Sequence, residues 1–340
     1  MRTVLESLNS ALHQAFAEDT QLVLLGEDIL DPYGGAFKVT RGLSDKYPQR
    51  VFTTPISEAG IVGVGAGLAL RGLHPIVEIM FGDFLPLAAD QLINHVAKFR
   101  WMYNLPGRLS LVIRTPMGGR RGYGPTHSQT LEKLFLGVPG LDILAPHTLL
   151  DPGRLLISAT RDHADPVLFI ENKLLYNLPI PGKYDLIEYI IQEIPHPEAA
   201  RYSPTVIVRV KGAPAPQCTI TTYGYMAELA RQAVLQLAYN FEIFTELVIF
   251  SQLAPFSISP LVDAVRQTKK LVTVEEGNLS LGWGAEITAR LAEQPGAILE
   301  AVMRVAALDT PIPASGPLEN EALPGVNKII EAGQKIVQNR

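Results

Sequence analysis

The stretch Thr53-Thr54-Pro55-Ile56-Ser57-Glu58-Ala59-Gly60 sets one carboxylate between a proline turn and a run, Ile61 to Arg71, of mostly small and aliphatic residues. An acid at the mouth of a buried helix is costly unless something uses it, which makes Glu58 a candidate for chemistry. It also has a purely structural reading, as a charge at the N-terminus of a helix, where the macrodipole favours an anion. The local sequence leaves both open. His127 is the second candidate, because a histidine in a glycine-rich loop has no packing role that an aliphatic residue could not fill. Its plain alternative is solvent exposure. Glu27-Asp28, the Met80-to-Phe84 segment and Glu171 each follow a strand-like run. Ligands of open parallel sheets lie outside the carboxyl ends of strands, which singles out these positions. The competing readings are a solvated strand end for Glu27 and core packing for Met80, Phe81 and Phe84.

The elements that must position these side chains follow from periodicity. Thr3 with Glu6 is a capping-box pair, and Leu5, Leu8, Leu12 and Phe16 recur at helical spacing, so residues 3 to 17 read as an amphipathic helix. Strands are expected at 22–26, 75–81, 109–115, 141–145 and 166–172, and helices at about 85–101 and 148–161. The run after Glu58 lacks a polar face and is expected to be a helix buried all round. Its glycines lack the spacing of a dinucleotide fingerprint and read instead as close helix packing. Residues 178 to 216 are rich in proline and charge and read as a linker with at most one hairpin or edge element. A second series of strands (218–224, 244–250, 270–276, 301–307) and helices (225–239, 259–268, 284–292, 327–338) follows. Strands alternating with helices predict an α/β protein with two doubly wound domains, 1 to 177 and 217 to 340, each on a mostly parallel sheet.

Composition narrows the function. The net charge of −5 and the absence of clustered Lys and Arg argue against a nucleic-acid partner. Cys218 is the single cysteine, which excludes an internal disulfide and a multi-cysteine metal site. The longest apolar run, Ile61 to Leu70, is about half what a bilayer span needs. The first sixteen residues carry charges in an amphipathic pattern in place of an apolar signal core. A cytoplasmic protein with no membrane partner is expected. There is no H-E-x-x-H, no phosphate-loop lysine and no G-x-S-x-G elbow.

Taken in order, the motifs resemble one family. Gly26-Glu27-Asp28, GGAFKVTRGL (34–43), RVFTTPISEAGIVGVGAGLALRGLHPIVEIMFGDF (50–84), ADQLINHVAKFR (89–100), THSQ (126–129), PGLDILAP (139–146), DPVLFIENKLLY (165–176), EEGNLSLGWGAEI and LDTPIPASGPLE are similar to the beta subunit of thiamine-diphosphate-dependent 2-oxo acid dehydrogenases. The resemblance covers nearly the whole chain outside 178–216. It implies a pyrimidine-binding domain, a transketolase C-terminal-like domain and an alpha2-beta2 heterotetramer. It assigns Glu58 to a ring nitrogen of the cofactor aminopyrimidine, stabilising the imino form that takes the thiazolium proton. By the same resemblance Met80 and Phe84 wall the pyrimidine, Glu27 lies near the cofactor, and His127 supplies protons or hydrogen bonds during decarboxylation and acyl transfer. A potassium site in some members would involve Leu111, Ala159, Thr160, Asp162 and Ala164, with Ala164 standing where an Asn is usual.

Thiamine enzymes hold the diphosphate through magnesium with a G-D-G run and a later Asn, and this chain has only Gly82-Asp83-Phe84. An alpha subunit is therefore expected to hold the magnesium and the diphosphate. The resemblance implies oxidative decarboxylation of a 2-oxo acid, pyruvate or branched-chain, with acyl transfer to the lipoyl group of an acyltransferase component. Alternatives are an acetoin dehydrogenase beta subunit, a non-oxidative thiamine-dependent lyase or transferase, and a catalytically silent scaffold. Arg120 and Arg121 could meet a substrate carboxylate or an acidic lipoyl-domain face, or simply be solvated.

Overall fold

A computed structural model describes residues 1–196, 203–296 and 299–338. The chain divides into two compact units. The first comprises Met1–Gly118, Leu134–Ile180 and Gln252–Pro255; the second comprises Gly119–Lys133, Pro181–Ser251 and Phe256–Arg340.

The first unit opens with helix α1 (Val4–Glu18). Thr3 Oγ1 accepts from the Glu6 amide at 3.2 Å and Glu6 Oε2 from the Thr3 amide at 2.8 Å, completing the capping box. Leu8, Leu12 and Phe16 are buried on its inner face. There follow β1 (Leu22–Gly26), the short α2 (Leu43–Lys46), β2 (Val51–Thr53), α3 (Glu58–Leu70), β3 (His74–Glu78), α4 (Phe99–Met102), β4 (Val112–Met117), β5 (Asp142–Leu144), α5 (Pro152–Arg161) and β6 (Val167–Asn172). The sheet runs β11-β5-β6-β4-β3-β1-β2. All pairs are parallel except the one made by β11 (Gln252–Ala254), which joins β5 antiparallel. From β1 the chain moves outward to β2 and then back past β1 to β3. The carboxyl ends of β1 and β3 thus flank a topological switch point, where Gly26 is in register with Glu78.

Two expectations change here. Helix α3 is not buried all round. Ile61, Val62, Ala66 and Ala69 face inward, while Val64 and Leu70 are exposed at 54% and 40%. Only one side meets β3, where a Cβ on Gly65 would fall 2.6 Å from Val77 Cγ2. Residues 85–101 do not form one regular helix either. A 3-10 segment over Gly82–Ala88, containing Pro86, leads through a wide π turn at Gln91–His95 and a 3-10 turn at Val96–Lys98 into α4. Pro86 has no amide hydrogen for a continuing α-helix.

The centre of this sheet holds a buried ionic cluster. Arg114 of β4 is 2% exposed and donates twice to Glu171 (2.7 and 2.8 Å) and once to Glu78 (2.7 Å). Tyr176 Oη donates to Glu171 at 2.7 Å. Burial pushes the Glu78 carboxyl up, and Arg114 opposes that shift.

The second unit has a sheet ordered β13-β12-β9-β10-β8-β7. Strands β9 (Cys218–Tyr223), β10 (Thr245–Phe250), β12 (Lys270–Asn278) and β13 (Ala301–Ala307) are parallel, and β7 (Tyr189–Ile194) and β8 (Thr205–Val210) add an antiparallel hairpin to β10. The stretch expected to link two domains thus contributes strands to this sheet; its residues 197–202 lie outside the described residues. Helices α6 (Met226–Phe241), α7 (Ser259–Thr268), α8 (Trp283–Ala292) and α10 (Val326–Gln338) flank the sheet, and α9 (Gly316–Ala322) precedes α10. Helix α8 has Gly282 as its N-cap and so no side-chain cap of its own. The buried Glu275 supplies one, accepting from the Gly284 amide at 2.9 Å. Burial, with the nearby Glu132 adding to it, pushes the Glu275 carboxyl up to about 7 from an ordinary 4.5.

Arg114→Met leaves two carboxylates buried without a cation and should cost about 3–5 kcal/mol in urea unfolding, whereas Glu78→Gln, which keeps the Arg114–Glu171 pair, should cost clearly less. Equal losses would show that the cluster is not the unit described. For Glu275, the folded chain keeps between about pH 4.5 and 7 a proton that the unfolded chain releases. Stability should therefore fall as pH rises through that window, by on the order of 3 kcal/mol. Thermal unfolding from pH 5 to 8 should show this fall in the wild type and a flatter profile in Glu275→Gln. Matching profiles would rule it out.

Candidate functional site

At the switch point the chain brings two carboxylates together. Glu27 directly follows β1 and Glu58 opens α3 immediately after the β2 turn; they are 8% and 6% exposed. Ser57 Oγ caps α3, accepting from the Gly60 amide at 3.3 Å, and Glu58 stands in the first turn of that helix. Among the described residues Glu58 and Glu27 accept no hydrogen bond. Burial, then the charge of Glu58, then that of Asp28, raise the Glu27 carboxyl above its ordinary range. Two poorly hydrated acids without donors can accept hydrogen bonds from a ligand N–H.

Met80 and Phe84 follow β3 and are half-buried. Phe84 stands edge-on to Phe81 at 6.0 Å between ring centroids, and Phe81 meets Phe37 at 5.7 Å. The Lys173 ammonium lies 5.1 Å from the Phe81 ring centroid. The segment passes close to β4, since a Cβ on Gly82 would fall 2.2 Å from Met117 Cγ. An aromatic and thioether wall beside two acids with free acceptor oxygens fits a flat heterocycle that carries N–H donors. Glu171, singled out as a strand-end acid, is fully engaged by Arg114 and Tyr176.

His127 belongs to the second unit, within the segment 119–133. It is half-buried, with Thr126 Oγ1 3.0 Å from Nδ1. Arg120 is not a solvated loop residue: its guanidinium donates to the Pro324 carbonyl, whereas Arg121 is exposed. Sequence reasoning missed Phe37, Lys173, Glu132 and Glu319. The one available signal was charge inside apolar runs, as in Glu78, Arg114 and Glu171, which marks groups that must find partners on burial.

The residues implied for potassium do not fit a bound ion. The Leu111 carbonyl accepts from the Val167 amide (2.9 Å) and the Ala164 carbonyl from the Leu109 amide (3.0 Å). The Thr160 carbonyl accepts from Arg108 Nη2 at 2.7 Å, and Arg108 Nη1 donates to the Arg161 carbonyl. Ala159 is buried and Asp162 exposed. The guanidinium of Arg108 already supplies a positive charge to this turn.

Residues 1–179 match the transketolase pyrimidine-binding domain and residues 208–329 the transketolase C-terminal domain. The chain is 36% identical over 335 residues to the mitochondrial pyruvate dehydrogenase E1 component subunit beta-1 of Arabidopsis thaliana, covering 98% of this chain and 88% of that one. It is 35% identical over 345 residues to the acetoin:2,6-dichlorophenolindophenol oxidoreductase subunit beta of Cupriavidus necator, covering 98% and 96%. The pyruvate dehydrogenase E1 component subunit beta of Rickettsia felis is 33% identical over 336 residues, covering 98% of both chains. Among solved structures, a split gene transketolase, an inactive beta4 tetramer, shares the fold with a TM-score of 0.74 at 21% identity, covering 99% of each chain.

Replacing potassium chloride by choline chloride at equal ionic strength should leave the thermal midpoint unchanged. An ion bound at 100 times its Kd would add about 2.7 kcal/mol and shift the midpoint by several degrees. Such a shift would restore the potassium site.

Proposed function

The chain belongs to the family of beta subunits of thiamine-diphosphate-dependent 2-oxo acid dehydrogenases, and we propose that it supplies the aminopyrimidine half of a thiamine site for the oxidative decarboxylation of a 2-oxo acid, pyruvate or branched-chain, with acyl transfer to a lipoyl carrier. The observation that carries this reading is the pair Glu27 and Glu58, buried, close to one another and without hydrogen-bond donors. When bound, the cofactor supplies a thiazolium carbon that adds to the 2-oxo group and stabilises the charge left by loss of carbon dioxide.

The work of this chain is proton placement. Glu58 would hold the aminopyrimidine end of the cofactor by accepting a hydrogen bond from one of its N–H groups. Its seat at the N-terminus of α3 keeps the carboxylate compatible with low hydration. Glu27 stands beside Glu58, its carboxyl raised by burial and then by the charge of Glu58. Met80 and Phe84 exclude water from the ring face. His127 donates or accepts protons at substrate oxygen.

Magnesium and the diphosphate fall to an alpha subunit in an alpha2-beta2 assembly, with a lipoyl acyltransferase as the next partner. Support comes from apolar side chains left at the surface of the first unit: Ile56 (83% exposed), Val64 and Leu87 beside the site elements. Among the described residues no helix is long and apolar enough to cross a membrane. The acetoin-type relative supports a second reading, with acetoin as substrate.

Reconstitution with an alpha subunit and a panel of pyruvate, branched-chain 2-oxo acids and acetoin, read with an artificial electron acceptor, separates the two. Glu58→Gln should lower turnover by about 10²–10⁴-fold with assembly intact. Unchanged turnover would leave the chain a scaffold.

A further inference from the structure

The segment 119–133 leaves the first unit after Gly118 and returns to it at Leu134, yet it belongs with the second unit. Two buried glutamates elsewhere in the second unit, Glu276 and Glu319, engage its start, and a third, Glu132, lies at its end. At its start the Gly119 amide donates to Glu276 Oε1 at 2.7 Å. The Arg120 amide donates to Glu319 Oε1 at 2.7 Å and the Gly122 amide to Glu319 Oε2 at 3.2 Å. At its end Glu132, fully buried, accepts from Tyr223 Oη, and Lys133 Nζ donates to the Ser280 carbonyl at 2.9 Å.

The backbone at the start of the loop has an unusual form. Arg120, Gly122 and Gly124 all have positive φ, at 64°, 68° and 75°. The two glycines adopt this region freely, whereas Arg120 is held in it against its preference. Left-handed residues alternating with ordinary ones turn successive N–H groups to one side and form a nest for an anion. Glu319 fills that nest. It is 2% exposed, and α9 has one evident task, which is to deliver it. Leu323, just past α9, is buried with Ala307 and Ile312, and a Cβ on Gly119 would fall 2.5 Å from its Cδ1. The loop start is therefore packed against Leu323 at 119 and fastened by charge at 120 and 122. The Arg120 guanidinium, on the Pro324 carbonyl, holds the second residue after α9.

We propose that Glu319 is a positioning residue for His127: its carboxylate locks the nest at Arg120 and Gly122 and so fixes the loop that presents the imidazole. This rests on the proposed catalytic role of His127. A carboxylate bound to two backbone amides is a charge-assisted pair that water replaces poorly once Glu319 is cut back. The loop then loses its left-handed start, and His127 its place.

Two readouts test this. The first is limited trypsin digestion of the full-length chain, followed as cleavage after Arg120 and Arg121. Glu319→Ala should speed this cleavage at least about tenfold, and Glu319→Gln, which keeps one acceptor oxygen, should do so less. If the Ala variant does not fold, the Gln variant is read against wild type. The second is a double-mutant cycle on turnover in the reconstituted enzyme. Glu319→Ala should lower kcat by up to about 10²-fold when His127 is present, and less than about twofold in the residual activity of His127→Ala. Unchanged proteolysis, or equal losses in both backgrounds, overturns the proposal. Full turnover in His127→Ala would instead sink the catalytic reading of His127. The two failures are distinguishable, because proteolysis does not depend on turnover.

Discussion

The arrangement of the first unit depends on one cation. Arg114 stands between Glu78 and Glu171 on three adjacent parallel strands, so a single guanidinium ties together β3, β4 and β6 near their carboxyl ends. Parallel strands in the middle of a sheet are covered on both faces, and a charge there cannot be left without a counterpart. Two strand ends beside the candidate site connect to this cluster. Glu78 is in register with Gly26, so the ion pair also fixes where β1 ends and where Glu27 begins. Tyr176 seals the other side and stacks against Phe37, which supports Phe81 and, through it, Phe84.

Much of this was legible in the amino-acid sequence because it is written in local terms. The Thr3–Glu6 capping box, the strand at Leu22–Gly26 and the helix at Ser259–Thr268 each depend on residues within one turn or one alternation. The strand-end rule likewise gathered Glu27, Met80 and Glu171 at one sheet edge, although it could not say that Glu171 would be consumed by Arg114. What escaped was non-local. Helix α3 looked apolar on all sides, and which side faces outward depends on how much of it β3 can cover. The path from Gly82 to Met102 looked like one helix because its apolar residues recur at helical spacing, and Pro86 shows only as a single letter. Helix α9 is seven residues long and begins Gly-Pro, so periodicity had nothing to detect. Its importance lies in one side chain that reaches a loop almost two hundred positions earlier.

The acids of the chain illustrate how surroundings assign roles. Glu27 and Glu58 are buried and accept no hydrogen bond among the described residues. Glu275, equally buried, accepts a helix amide and serves as a cap. Glu319 accepts two loop amides and serves as a clasp. Residue type alone separates none of these, since all are glutamates in apolar or glycine-rich contexts. What differs is the supply of N–H groups within reach.

The antiparallel edge strand β11, residues 252–254, closes the first sheet beside β5 although it is encoded after half of the second unit. During synthesis the whole of 181–251 must leave the ribosome before that edge can be covered. Until then β5 presents an unpaired row of backbone groups, the kind of edge that recruits other strands. The first unit is therefore not a segment that can be finished early and set aside. Its completion waits on the second, and a chain stopped at the nominal domain border would carry an open sheet edge into solution.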